Sequence, residues 1–300
     1  MPQATRTTLA VEQPFELGLT LHGHGWIHLP PHRWDEARGE WSVPLRLHRQ
    51  VVAAHVRQAR ASISVRLVAA RRLAARDVAE ARRQIVHMLR LDEDLAPFWA
   101  MCKSKPRFDW VARRGGGRLL RSAALFEDLL KILFTTNCTW AATTSMTKKL
   151  VDAIGDDAPD GLRAFPTAAQ CAREPAFYRD VVRAGYRADA CAQLARAFAD
   201  GTLDDAHFAN PSCDTTMTRK RLLALRGFGP YAAGQALRLL GRYDDLALDS
   251  WCRAQMATIL GRATAPNDAW FARRYADFAT CAGLAMWCEV TADWHESPRK

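Results

Sequence analysis

"LRGFGPYAAGQALRLLGRYDDLALDSWCR", residues 225–253, is the stretch from which the rest of the chain is read. Two glycines and a proline crowd into the four positions Gly227 to Pro230, between two helical patterns. Upstream, Leu222 and Leu225 close one helix; downstream, Ala233, Ala236, Leu237 and Leu240 line the next. Gly227 and Gly229 admit backbone angles closed to other residues and let a second backbone approach. Pro230 suits the first turn of the second helix, where a missing N–H costs nothing. The stretch therefore reads as a helix–hairpin–helix over 218–240 followed by a loop over 241–250. Free amides at the second helix's N-terminus suit a phosphate oxygen. Glycine turns also join helices that only pack, so these residues alone leave both readings open. Asp249 ends the loop and precedes a further helical pattern. It is either an N-cap contributing about 1 kcal/mol or a carboxylate held beside a pocket, and the two roles make opposite demands on its oxygens.

The surrounding composition is that of a soluble globular protein: 300 residues, 49% hydrophobic and 25% charged. No apolar run approaches the roughly 18 residues of a membrane span, and the first residues do not read as a secretory signal. A cytoplasmic protein with no membrane association is expected. Eight scattered cysteines read as reduced thiols rather than as a disulfide framework. A formal net charge of +10 points to a polyanionic partner such as nucleic acid. Arginine carries most of that charge, and from residue 221 to 299 there is no lysine at all.

Along the chain, residues 15 to about 70 look β-rich. "FELGLTLHGHGWIHL" and "SVPLRLH" partly alternate, "ASISVRLVAA" supplies β-branched residues at period two, and "PPHRWDEARGEW" is turn-like. From about residue 76 the pattern turns helical. "SAALFEDLLKILF" sets Leu125, Phe126, Leu129, Leu130 and Leu133 in one amphipathic stripe. Helices are predicted over 146–154, 167–173, 176–184, 188–199, 218–225, 231–240, 250–260, 268–281 and 283–290. The expected fold is α+β: a small N-terminal antiparallel β-sheet domain over 1–98 and a mostly helical body over 99–300.

The glycine corner, the loop and the aspartate together resemble the signature of the helix–hairpin–helix DNA glycosylase superfamily. "GGGRLLRSAALFEDLLKILFTTNCTWAAT", "FPTAAQ", "AGYRADACAQLARAF" and "CAGLAMW" are similar, in order, to segments of its 3-methyladenine and 8-oxoguanine branches. The resemblance covers roughly residues 110 to 290. It implies a base-excision repair enzyme that flips a damaged base from double-stranded DNA and breaks its bond to the sugar. In this resemblance Asp249 matches the catalytic aspartate. A carboxylate there stabilises the cation that develops on the deoxyribose and orients or deprotonates the attacking water.

The other matches follow residue by residue. Tyr231 stands where bifunctional members carry the lysine that forms a Schiff base with the sugar. With no lysine nearby, the resemblance implies a monofunctional enzyme that uses water and leaves an abasic site. Gly227 and Gly229 match the element that grips phosphate, sometimes through a monovalent cation; no other cofactor is implied. Asn137 matches an asparagine that enters the space left by the flipped base. Tyr186 and Arg187 match a wedge aromatic and an arginine on the unpaired opposite base, side chains that refill a gap costly to open. For Tyr186 the plain alternative is a half-buried core tyrosine. Tyr231, Trp140 and Gln235 are assigned to the substrate pocket, although Trp140 suits core packing equally. A monomer is expected.

Departures bear on the substrate. Ala142 stands where the 8-oxoguanine branch carries a second arginine, and "LHGHGWIHLPPHRW" lacks that branch's N-terminal pattern. An alkylated purine, whose positive charge weakens the bond and favours stacking on aromatic rings, is the preferred substrate. The alternatives are an 8-oxoguanine-type enzyme of altered specificity and a non-catalytic binder of damaged DNA. His22, His24, His28 and His32 lack the cysteine or carboxylate partners of a metal site and read as ordinary histidines. Cys281 and Cys288 resemble the start of an iron–sulfur motif whose remaining cysteines are missing, so no cluster is expected. Cys252 reads as a helix residue rather than a nucleophile, and Asp244 and Asp245 as solvated loop charges.

Overall fold

The computed structural model describes residues 2–209 and 213–296. The fold is α+β: mostly helical, with one five-stranded antiparallel sheet. Contacts divide the chain into two compact units that interleave along the sequence, 1–93 with 118–204 and 94–117 with 205–300. The expected boundary at residue 98 follows chain order, whereas residues 118–204 fold with the sheet. Local bonds explain the return of the chain to its first segment. Arg121 N–H donates to the Met88 carbonyl (3.1 Å), and buried Arg90 donates Nε to the Leu119 carbonyl (2.9 Å).

In the first unit the sheet order is β1-β5-β4-β3-β2. The strands are β1 (Gln3–Ala10), β2 (Arg33–Asp35), β3 (Glu40–Arg46), β4 (Val51–Ala59) and β5 (Ser62–Ala69). Val65, midway along β5, pairs with Thr7 on β1 and Val56 on β4. Ile63, Val65 and Leu67 are fully buried at period two, as a half-buried strand requires. The helix Ala75–Met88 is tied to the sheet by Arg82, which donates to the Thr7 hydroxyl (2.6 Å), and by Gln84, which donates to the Arg46 carbonyl (2.9 Å). A loop around Pro159–Gly161 is clamped on the opposite strands: His55 bonds Asp160 through Nε2 (2.7 Å) and Ser42 through Nδ1 (2.9 Å). Buried Leu162 closes a small apolar cluster with Ala53 and Val68 beneath this loop.

Two sequence expectations change here. Residues 17–22 form a short helix and 25–28 a 3₁₀ turn, rather than strand. Buried Leu17, Leu19 and Leu21 imitate strand alternation, but the backbone is satisfied by a side chain instead of a ladder. The Leu17 N–H donates to Gln58 Oε1 (2.6 Å), and Gln58 Nε2 donates to the Phe15 carbonyl (2.8 Å). The helix Leu125–Thr135 is buried on nearly all sides rather than along one stripe. Its charges satisfy one another: Lys131, with no exposed surface, donates to Glu127 (2.5 Å) and Ser122 (3.3 Å). Asp128 accepts from Trp26 Nε1 (2.6 Å) and Ser122 N–H (2.9 Å). Buried charges persist only when paired and bonded in this way. The histidine segment packs against aromatics, His24 on Trp26 (ring centroids 4.4 Å) and His32 on Trp41 (5.8 Å). No group of three or more metal-ligating side chains occurs among the described residues.

The second unit is helical, with helices over Ala96–Lys103, Asp109–Arg114, Thr215–Leu223, Pro230–Leu239, Ser250–Ile259, Asp268–Tyr275 and Ala282–Val290 among others. The hairpin pair, Thr215–Leu223 and Pro230–Leu239, lies within two or three residues of its predicted bounds. The predicted helix 268–281 stops being α-helical after Tyr275 and continues as 3₁₀ to Cys281, with Ala279 at φ +45°. No helix of the described residues is long and apolar enough to cross a membrane.

Candidate functional site

The glycine corner is built as its residue types require. Gly227 takes φ +85°, a left-handed conformation that penalises any Cβ. Gly229 is the residue before the second hairpin helix, Pro230 opens that helix, and nothing lies within 4 Å of where a Gly229 Cβ would stand. Phe228 turns inward, 5% exposed, and pins the corner to the core. The first-turn amides of Pro230–Leu239 have no carbonyl to meet within the helix, and the glycines leave that end exposed. Tyr231 follows at the same end, 36% exposed.

One turn further on, buried Gln235 meets Asp249. Gln235 Nε2 donates to Asp249 Oδ2 (3.0 Å), while Asp249 Oδ1 accepts from the Cys252 N–H (2.7 Å). The competing roles of Asp249 are thus divided between its two oxygens: Oδ1 caps the helix Ser250–Ile259, and Oδ2 faces the hairpin helix. Behind Gln235 stands Arg238, 2% exposed, which donates Nη1 to Gln235 Oε1 (2.9 Å) and Nη2 to the Ala247 carbonyl (3.4 Å). Its guanidinium lies over the Trp287 ring at 4.1 Å, and Trp287, Trp251 and Trp294 pack on one another with centroids 5.3–5.8 Å apart. Burial pushes the Cys252 thiol up to about 12, in keeping with a packing residue rather than a nucleophile.

The loop that carries Asp249 is pressed against its neighbours. Ala247 sits at φ +48°, and a Cβ on Gly234 would stand 2.9 Å from the Ala247 Cβ. Asp245 accepts from the Ala247 N–H (2.7 Å) and pairs with Arg219; Asp244 accepts from the Thr215 hydroxyl (2.6 Å). Both acids anchor the loop rather than standing free in solvent. The Gly283 N–H donates to the Tyr243 carbonyl (2.6 Å), and a Cβ at Gly283 would overlap the Asp245 carbonyl oxygen. Because that obstacle is backbone, Gly283→Ala is expected to destabilise the protein by about 1–3 kcal/mol. Thermal unfolding reads this at about 4 °C for each kcal/mol, between the figures for smaller and larger domains.

A second group of matched residues lies in the first unit. Asn137 adopts φ +45°, which asparagine tolerates better than most residues. It donates Nδ2 to the Tyr186 hydroxyl (3.3 Å), which itself donates to the Thr136 carbonyl (3.3 Å). Tyr186 is 68% exposed, so it is no core tyrosine. Arg187 is buried, donating Nε to the Thr136 hydroxyl (3.1 Å), Nη1 to the Ala184 carbonyl (3.3 Å) and Nη2 to the Thr136 carbonyl, with its guanidinium 4.5 Å from the Tyr186 ring. In this state Arg187 supports Tyr186 rather than reaching outward. Trp140 begins the next helix and is 43% exposed, with its ring against Gly25, so it does not pack in the core. Asn137, Tyr186 and Arg187 form one cluster, and Gln235 and Asp249 another. The sequence singled out neither Thr136, which ties the first cluster together, nor Arg238, which backs the second. Arg238 was legible only as a residue three places from Gln235 on one helix face.

No family model matches the chain. Over 169 residues it is 29% identical to a DNA-3-methyladenine glycosylase of Bacillus subtilis, a match covering 53% of this chain and 55% of that protein, so it spans about half the length of this relative. Among solved structures it is similar to a 3-methyladenine DNA glycosylase from Archaeoglobus fulgidus, with TM-score 0.77 and 16% identity over 98% of this chain and all of that one. It is also similar to an 8-oxoguanine glycosylase/lyase from Clostridium acetobutylicum, with TM-score 0.72 and 16% identity over 97% and 98%. The resemblance read outward from residues 225–253 therefore stands: the chain has the fold of the helix–hairpin–helix DNA glycosylase superfamily.

Proposed function

We propose that the chain is a monofunctional DNA base glycosylase that releases an alkylated purine from duplex DNA. The observation that carries this reading is Asp249, with one oxygen anchored as a helix cap and the other fixed by Gln235, on the loop that follows an open glycine corner. In the reaction the C1′–N bond breaks with its electron pair going to the base, which neutralises an alkylated purine. The Asp249 carboxylate stabilises the sugar cation, water oxygen bonds to C1′, and its proton passes to the carboxylate. The amides after Gly229 hold a backbone phosphate. In the first unit, Asn137 and the exposed Tyr186 ring suit a gap opened in a base stack, with Arg187 bracing the tyrosine; in the second, Tyr231 offers an aromatic face to an extruded base.

Water is the proposed nucleophile because Tyr231 has replaced the lysine position and no lysine occurs between 221 and 299. Ala142 argues against an 8-oxoguanine specificity. Mass spectrometry of bases released from alkylated, oxidised and deaminated duplexes tests the substrate, and borohydride trapping tests the nucleophile. Release of alkylpurine with an intact strand and no trapped adduct is the expected result. A covalent adduct would overturn the monofunctional mechanism, and binding without release from any duplex would leave a damage-binding protein.

A further inference from the structure

Arg107, Trp270, Arg273 and Arg274 line an open cleft of about 300 Å³ in the second unit. Trp270, Arg273 and Arg274 lie at i, i+3 and i+4 on the helix Asp268–Tyr275 and so share one face. Beneath them is Glu289, 7% exposed, on the helix Ala282–Val290. Glu289 accepts from Arg274 Nε (3.0 Å) and Nη2 and from the Tyr275 hydroxyl (2.6 Å), and pairs with Arg107 Nε (3.5 Å). One buried carboxylate thus pins two guanidinium groups by their inner edges. Arg274 is stiffened further by stacking over the Trp270 ring (4.9 Å).

This arrangement leaves outward donors in excess. Among the described residues, Arg274 Nη1, both terminal nitrogens of Arg107 and the whole Arg273 guanidinium have no hydrogen-bond partner. Nearby acids are already engaged, Asp268 by Arg253 and Asp277 by Lys105, each at 2.7 Å. Three guanidinium groups therefore line the open cleft, with buried Glu289 beneath them and Asp277, shared with Lys105, within Coulombic reach of Arg107. Held guanidinium groups are suited to phosphate oxygens, and the forks of Arg107 and Arg273 with the remaining Arg274 Nη1, from two elements, match a tetrahedral group better than a planar carboxylate.

We propose that this cleft is a phosphate-binding site. Its phosphate is either a backbone group of a nucleic-acid strand or a free phosphate ion. The proposal does not rest on the activity assigned to Asp249, and its test uses undamaged DNA so that the two fail separately. The full chain and its Arg107→Gln/Arg273→Gln variant are titrated with an undamaged duplex by fluorescence anisotropy across a salt series. In parallel, thermal unfolding is followed in sodium phosphate and in chloride at equal ionic strength. For a strand phosphate, the variant's plot of log affinity against log salt becomes shallower by about one, and its affinity falls several-fold at low salt. For a free ion, the salt plots coincide, and phosphate raises the melting temperature of the wild type but not of the variant. Coincident salt plots together with an equal response to phosphate would overturn the proposal. Equal melting of both proteins in chloride excludes damage to the fold as the cause of any difference.

Discussion

Asp249→Asn is expected to lower the single-turnover rate of base release by about 10³-fold, the scale of losing one preorganised charge from a transition state, while leaving folding and duplex affinity almost unchanged. The division of labour between the two carboxylate oxygens is what makes this substitution informative. Asparagine is as good an N-cap as aspartate, so its Oδ1 keeps the bond from the Cys252 N–H and the helix Ser250–Ile259 keeps its start. What disappears is the negative charge and the acceptor at Oδ2, replaced by an amide that faces the Gln235 Nε2 as donor against donor. A carboxylate that served only as a cap would tolerate the change. Base release by the variant within tenfold of the wild-type rate would remove Asp249 from the chemistry.

The hairpin and the cap were legible because their signals are local. Gly227 takes a left-handed angle that few residues share, Pro230 suits one helix position, and Asp249 precedes a helical period, whereas Gly229, expected to need such an angle too, is ordinary extended backbone that any residue could adopt. These constraints act over four or five residues and survive any tertiary context. The misread segments depend on distant partners. The segment leaves the strand pattern at its start, where Gln58, forty-one positions from Leu17, takes the Leu17 N–H and the Phe15 carbonyl that a ladder would have paired. The charges of Glu127, Asp128 and Lys131 look like a solvated face until Trp26 and Ser122 are brought against them. Arg187, matched to a DNA contact by its sequence context, is drawn inward by Thr136, whose carbonyl and hydroxyl accept from it simultaneously. The same limit hid Arg238. Its spacing from Gln235 was visible, but its second bond goes to the Ala247 carbonyl, which is in place because Ala247 takes a left-handed turn against Gly234.

Arg238→Met is expected to slow base release by about 100-fold at saturating DNA, with duplex affinity nearly unchanged. The reason is the direction of one amide. Arginine has donors and no acceptor, so Gln235 must present Oε1 to Arg238 and, with its other end, Nε2 to Asp249. Without the guanidinium, the Gln235 oxygen is buried without its donor, an arrangement costing about 1–3 kcal/mol. The side chain then gains by swinging Oε1 toward another donor, which withdraws Nε2 from Asp249 and leaves Oδ2 without its anchor. Methionine also removes the stacking on Trp287, so a general loosening has to be separated from a lost orientation. Gln235→Glu does so, because it leaves Arg238 an acceptor and its ring contact while exchanging the donor to Asp249 for a second carboxylate oxygen that repels Oδ2. It is expected to slow release at least as much as Arg238→Met, with less loss of melting temperature. Arg238→Lys, which retains one donor for Oε1, should recover part of the rate. If instead the rates of the three variants follow their melting temperatures, Arg238 is packing and the orientation of Asp249 is set elsewhere.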